Sequence, residues 1–265
     1  MKNSELEKIA NRLRITTLEM ISAANSGHPG GSLSAMDLLV AIYFGEILRH
    51  FPKKPNDPRR DYFILSKGHA SAALYSVLAE RGFFPKKELA KFRQINSNLQ
   101  GHPTPHTPGV EVATGSLGQG LSFSVGLALA NPARKVFTLL GDGELDEGQN
   151  WEAAMSAAHF GCGNLTAIVD RNRLQIDGPT AEVMSLESVA AKFASFGWRT
   201  VEIDGHNFAE ILRELRAADN SKKPTAIIAR TVKGRGAPCA ENKFEFHGVP
   251  LSADQLAEAK ANLAN

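Results

Sequence analysis

The chain of 265 residues is 43% hydrophobic and 22% charged, enough for one sizeable α/β core and short of two full-sized domains. Thirty basic against 28 acidic side chains leave a net charge of +2, which argues against a nucleic-acid or acidic-membrane partner. No stretch approaches the ~18 apolar residues of a membrane span, no apolar leader follows Met1, and Cys162 and Cys239 lack CxxC spacing, so the expectation is a cytoplasmic protein without disulfides or zinc.

Leu6, Ile9, Leu13, Thr17, Met20 and Ala24 recur at three- and four-residue steps and predict an amphipathic helix over 4–25, ended by Gly27-His28-Pro29-Gly30-Gly31. A second helix is expected from Ser34 to Phe44, capped by Ser34 or Ser32. The basic stretch 52–60 is broken by prolines and has no interleaved aromatics, so it reads as a solvated loop. Tyr62 to Leu65 then reads as a short buried strand, followed by Ser66-Lys67-Gly68-His69, a small-residue helix to about Arg81 and a loop rich in Gly, Pro, His and Thr over 100–120. Beyond it, β-rich runs at Val136–Leu140, Leu165–Val169, Thr200–Ile203 and Thr225–Ala229 alternate with helical stretches near 148–160, 186–197 and 207–218. That alternation predicts an α/β fold in one domain, 1–265: a doubly wound, mainly parallel sheet with helices on both faces. Ligands of such a sheet sit beyond the carboxyl ends of its strands.

The chemistry should therefore follow strands. Gly141-Asp142-Gly143-Glu144 comes directly after the strand ending at Leu140. The glycines allow a tight turn and a close ligand, and the carboxylate offers hard oxygen to a cation; alone, the same tripeptide also fits an aspartate capping the next helix. The next strand ends in Asp170-Arg171-Asn172-Arg173-Leu174, with Asn172 30 residues after Asp142, about one strand-helix-strand excursion. Asp142, the Asn172 amide oxygen and a nearby backbone carbonyl would supply the protein share of an octahedral Mg2+ site, with room for a diphosphate and water.

Gly-Asp-Gly, a spacer of this length and an Asn after an apolar strand resemble thiamine diphosphate enzymes. The longer segment Gly141–Gly178, GDGELDEGQNWEAAMSAAHFGCGNLTAIVDRNRLQIDG, resembles the transketolase version. The resemblance implies thiamine diphosphate with Mg2+, for which Ca2+ or Mn2+ could substitute. It makes Asp142, Asn172 and the Leu174 carbonyl the metal ligands and places Gly143 and Asn172 against the cofactor.

Four of the eight histidines lie beside glycine in predicted loops: His28 in Ser-Gly-His-Pro-Gly-Gly, His69 in Ser-Lys-Gly-His-Ala, His102 in Gly-His-Pro and His247 in Phe-His-Gly. Imidazole donates, accepts and shuttles protons near neutral pH, as a carbonyl-directed reaction on a sugar requires. All four segments resemble transketolase segments in the family's order, which implies that the four histidines line the substrate channel and that His69 and His247 also touch the diphosphate. By the same resemblance Gly115, Ser116 and Leu117 contact the aminopyrimidine ring, Lys233 is a cofactor-binding position, and Glu147 links two active sites across a subunit interface. His50, His106, His159 and His206 read as structural.

The resemblance covers only the first domain of a transketolase. The glutamate that activates the cofactor, the pocket for its pyrimidine ring and the substrate-phosphate arginines belong to domains expected on a separate C-terminal subunit, in an α2β2 heterotetramer. The implied reaction is transfer of a two-carbon ketol unit from a ketose phosphate to an aldose phosphate, placing the chain in carbohydrate metabolism such as the pentose phosphate route. The alternatives are a component of another thiamine enzyme, resembling deoxyxylulose phosphate synthase or a 2-oxo acid dehydrogenase, and a non-catalytic cofactor-domain scaffold.

Overall fold

The computed structural model describes residues 1–264. In chain order the elements are α1 (Asn3–Ala23), α2 (Pro29–Ser34), α3 (Met36–Phe44), β1 (Tyr62–Leu65), α4 (Ser71–Glu80), α5 (Gln119–Ala130), β2 (Val136–Gly141), α6 (Gly148–His159), β3 (Leu165–Arg171), β4 (Leu174–Gln175), β5 (Gly178–Pro179), α7 (Thr180–Val183), α8 (Val189–Ser195), β6 (Arg199–Asp204), α9 (Phe208–Ala218), β7 (Thr225–Arg230) and α10 (Ala253–Ala264). Five strands form one wholly parallel sheet in the order β1-β2-β3-β7-β6, and β4 and β5 form a separate antiparallel hairpin.

Successive side chains of a strand point to opposite faces, and here both faces are apolar. Phe137 and Leu139 of β2, Ile168 of β3 and Ile227 of β7 join a core with α1, α3, α4 and α9. Val136, Leu140, Val169 and Ile228 join a second core with α5, α6 and α8. The near-continuous apolar strands thus reflect burial on both sides, as expected for a doubly wound sheet. The predicted stripe of α1 is buried at Leu6, Leu13, Thr17 and Met20, but Ala10, Leu18 and Ile21 are buried too. α1 is packed against α3, α4 and α10 at once, so one stripe does not describe it.

Residues 34–44 are not the single serine-capped helix that the sequence suggests. Pro29 takes the first turn of α2, where its fixed φ and missing N–H cost nothing, and the chain turns at Ala35 before α3. Ser34 is drawn away from capping because its hydroxyl donates to the buried Asp170 carboxylate at 2.6 Å, and the Ser32 hydroxyl is buried without a partner. The other sheet strands run one or two residues past their apolar stretches, so that Asp170 lies inside the β3–β7 ladder opposite Ala229.

Candidate active site

The carboxyl ends of the parallel strands bring together Ser66–His69 after β1, Asp142–Glu144 after β2, Asp170–Leu174 at the end of β3 and Thr231–Lys233 after β7. They surround a cavity of about 160 Å³ lined by Lys67, His69, Asp142, Gly143, Asn172, Leu174 and Lys233, among others. Ordinary ligand pockets enclose roughly 300–1,000 Å³, so this cavity suits one end of a ligand.

Asp142 is buried and accepts hydrogen bonds from the Gly143 amide at 2.9 Å and from the Arg173 amide. A Cβ at Gly143 would stand 2.9 Å from Gln175 Cβ, so the turn needs glycine where the β4–β5 hairpin closes over it. Arg173 adopts a left-handed φ of 65°, and the chain turns there between Asn172 and Leu174, both of which line the cavity. The Leu174 carbonyl accepts from Lys233 Nζ at 2.8 Å. Burial, followed by the charge of Asp170, pushes the Asp142 carboxyl up to about 6. A hard carboxylate short of positive charge, beside an amide oxygen and a backbone carbonyl, fits a divalent cation. Among the described residues no three His, Cys, Asp or Glu side chains converge as a metal site, so this position depends on that mixed oxygen set.

Lys67 and Glu144 of the cavity wall, with Asp170 bonded to Lys67, form a polar cluster absent from the sequence-based expectations. Lys67 is 1% exposed and pairs with Asp170, 0% exposed, at 2.5 Å. Asp170 also accepts from Ser34 and Thr231. Burial would raise the Asp170 carboxyl, but the Lys67 ammonium and these bonds outweigh it and hold it below the usual carboxylate value. Glu144, also buried, accepts from the Gly118 and Gly141 amides at 3.0 Å each and from the Ser66 hydroxyl, which ties the turn after β2 to the start of α5. Lys233 is 2% exposed, and burial, reinforced by Lys67, lowers its ammonium to about 8.

The four singled-out histidines converge. Ring centroids lie 5.3 Å apart for His28 and His69, 5.5 Å for His28 and His247, 5.0 Å for His69 and His247, and 6.3 Å for His28 and His102. Burial is the first cause of a lowered pKa at all four, helped by Arg93 at His28 and His102, by Lys67 at His69 and by Lys233 at His247. His28 falls to about 4 and His247 to about 3. Near neutral pH the group is therefore a set of uncharged imidazoles, each able to donate one hydrogen bond and accept another.

The remaining expected positions are more dispersed. Leu117 lines the cavity, Ser116 is exposed, and Gly115, at φ 139°, lies so close to His102 that a Cβ would stand 2.8 Å from its ring. Glu147 is exposed at the start of α6 and outside the cavity lining, with its side chain against Gly118. The histidines read as structural behave differently from the cluster. His50 bridges the Leu48 carbonyl and Arg81, and His206 bridges Asp37 and the Val232 amide, while His106 and His159 are exposed.

Residues 6–264 match the family described as transketolase, thiamine diphosphate binding domain. The chain belongs to this family. Among relatives of this transketolase domain, one of the subunits of the apulose-4-phosphate transketolase of Phocaeicola vulgatus is 44% identical over 96% of this chain and 92% of its own length. The 6-deoxy-6-sulfo-D-fructose transketolase subunit SqwG of Clostridium sp. is 41% identical over 98% and 96%. Human transketolase is also 41% identical, over 94% of this chain but 40% of its own. The transketolase structure from Campylobacter jejuni superimposes with a TM-score of 0.95 at 37% identity, covering 100% of this chain and 43% of that one. The domain thus spans about two-fifths of these single-chain transketolases and nearly the whole of the two subunits. Among the described residues no helix is long and apolar enough to cross a membrane.

Proposed function

We propose that this chain is the diphosphate-binding subunit of a two-chain transketolase, moving a two-carbon ketol unit from a ketose phosphate to an aldose phosphate with thiamine diphosphate and Mg2+. The convergence of His28, His69, His102 and His247, of which His69 and His247 line the Asp142–Asn172–Leu174 cavity, carries this reading. The near full-length match to two separately encoded transketolase subunits supports a partner chain, and an α2β2 tetramer is the assembly we favour. Two free cysteines without a disulfide suit a cytoplasmic setting.

Asp142, Asn172 and the Leu174 carbonyl would hold the metal, with Gly143 leaving room for the diphosphate. Lys233 and Lys67 supply positive charge at the cavity wall, and Asp170 fixes where Lys67 puts it. His69 and His247 line the same cavity and reach toward His28, so they span the step from diphosphate to sugar. When bound, the cofactor supplies the carbon nucleophile and the electron sink. The neutral imidazoles contribute hydrogen bonds to the sugar oxygens and a place to hold a proton as the carbon-carbon bond breaks. Gly115 to Leu117 and Glu147 would meet the pyrimidine end of the cofactor and the neighbouring site at the assembled interface.

Four uncharged donor-acceptor groups match the several hydroxyls of a polyhydroxylated donor, more than the carbonyl and carboxylate of a 2-oxo acid would engage. Product analysis of the reconstituted complex with xylulose 5-phosphate or with pyruvate checks this. Ketol transfer from the sugar alone is expected; turnover of pyruvate alone would replace the reading with another thiamine chemistry.

A further inference from the structure

Arg93 stands out as a half-buried cation with no anionic partner. It takes part in none of the ion pairs among the described residues, and its Nε is buried without a hydrogen bond. Its position is nevertheless well determined. The backbone holds a left-handed φ of 59°, the Arg93 amide donates to the Leu99 carbonyl at 2.8 Å, and Nη1 donates to Ser26 Oγ at 2.9 Å. A Cβ at Gly101 would stand 2.8 Å from both Cζ and Nη2, so the glycine before His102 gives the guanidinium its space. Held this way, Nη2 lies 3.4 Å from His28 Nδ1.

A guanidinium has five N–H donors and no acceptor, and it stays charged at any working pH. Its contact with Nδ1 is attractive only if that nitrogen carries a lone pair. A neutral imidazole with an unprotonated Nδ1 has its proton on Nε2. That edge of His28 lies beside Gly248 and His247, and among the described residues Nε2 has no hydrogen-bond partner. His247 Nδ1 faces Lys233 Nζ at 3.1 Å, whereas His69 and His102 have no side-chain hydrogen bond among the described residues that would fix their tautomers.

We propose that Arg93 is a positioning residue that locks His28 in the Nε2–H tautomer, making it a permanent hydrogen-bond donor to a substrate oxygen and removing it from the candidates for the base. Lys233 Nζ, 3.1 Å from His247 Nδ1, holds His247 in the same way, so proton acceptance then falls to His69 and His102. The lowered pKa of His28, to which Arg93 contributes after burial, agrees with a ring that is held neutral. The tautomer follows from this chain's geometry alone, and only its catalytic consequence rests on the transketolase reading.

The test is nitrogen-15 NMR of the full chain labelled at histidine, with the His28 signals assigned from His28→Gln. Wild type is expected to show His28 protonated at Nε2 only. Arg93→Met should give a mixture of tautomers at His28 while the His50 and His206 signals stay in place, and Arg93→Lys, which keeps a donor-only cation, should restore the single form. If the Met variant does not fold, Ser26→Ala, which frees Nη1, carries the same comparison. A wild-type His28 protonated at Nδ1, or a tautomer unchanged in these variants, would overturn the proposal. In the reconstituted complex Arg93→Met should raise the donor KM by the inverse of the fraction of His28 left in the Nε2–H form, about twofold for an even mixture, with a smaller effect on kcat. An unchanged KM despite the expected spectra would refute the catalytic consequence, and cofactor binding measured separately would show whether the transketolase reading itself had failed.

Discussion

At the scale of single residues, the cavity is organised by charges placed where water does not reach. Asp142 carries a carboxyl raised to about 6 by burial and by Asp170, so a bound cation would relieve a strain already present in the protein. Asp142→Asn keeps the shape and removes the charge. Loss of outer-shell groups alone commonly weakens metal binding by about 10–100-fold, and a direct ligand should reach at least the upper end of that range, ~100-fold, in calorimetric titration with Mg2+ and thiamine diphosphate. Lys67 and Asp170 form the complementary case, a pair fully shielded from solvent. Lys67→Met leaves a buried carboxylate uncompensated and should cost about 3–5 kcal/mol, a fall in Tm on the order of 10 °C. The double variant Lys67→Met/Asp170→Leu should regain much of that stability, and a double variant no more stable than the single one would mean that the pair matters through its shape.

At the scale of elements, the sheet was readable from sequence because its strands are apolar on both faces and short enough to stand out between helices. Their ends were not, since a ladder hydrogen bond needs no apolar side chain and β3 continues through Asp170 and Arg171. That extension is why Asp170 read as the start of a loop when it lies in the sheet, and why Lys67 and Glu144 read as ordinary charged neighbours of a motif. The Gly-Asp-Gly turn, Asn172 and the glycine-flanked histidines were legible because each falls after a strand or in a glycine-rich loop. The break at Ala35 was hidden because the cap signal of Ser34 is overridden by a partner 136 residues away. Asp37 in α3 ties several elements through Arg14 of α1, at 3.0 and 2.7 Å, and His206 of the turn after β6, at 2.6 Å. Burial raises its carboxyl, but Arg14 and His206 together bring it below the usual value. A carboxyl with a lowered folded-state pKa stabilises the fold fully above its unfolded value, and that contribution disappears as the pH falls through the folded-state value. The Tm advantage of wild type over Asp37→Asn should therefore be largest near neutrality and shrink on acidification below about pH 4, as a thermal melt series would read. An advantage that did not change with pH would assign the effect to packing.

At the scale of the whole molecule, the parallel sheet gathers the metal-oxygen set, two lysines and four imidazoles at one edge, and about two-fifths of a single-chain transketolase is represented. The two-subunit account requires the remaining groups to arrive on another chain. The most direct measurement is ketol transfer from xylulose 5-phosphate to ribose 5-phosphate, with thiamine diphosphate and Mg2+, by this chain alone and after reconstitution with its co-purifying partner. The account predicts no turnover by the single chain and full turnover by the complex. Turnover by the single chain, or none by a complex that has bound the cofactor, would contradict it.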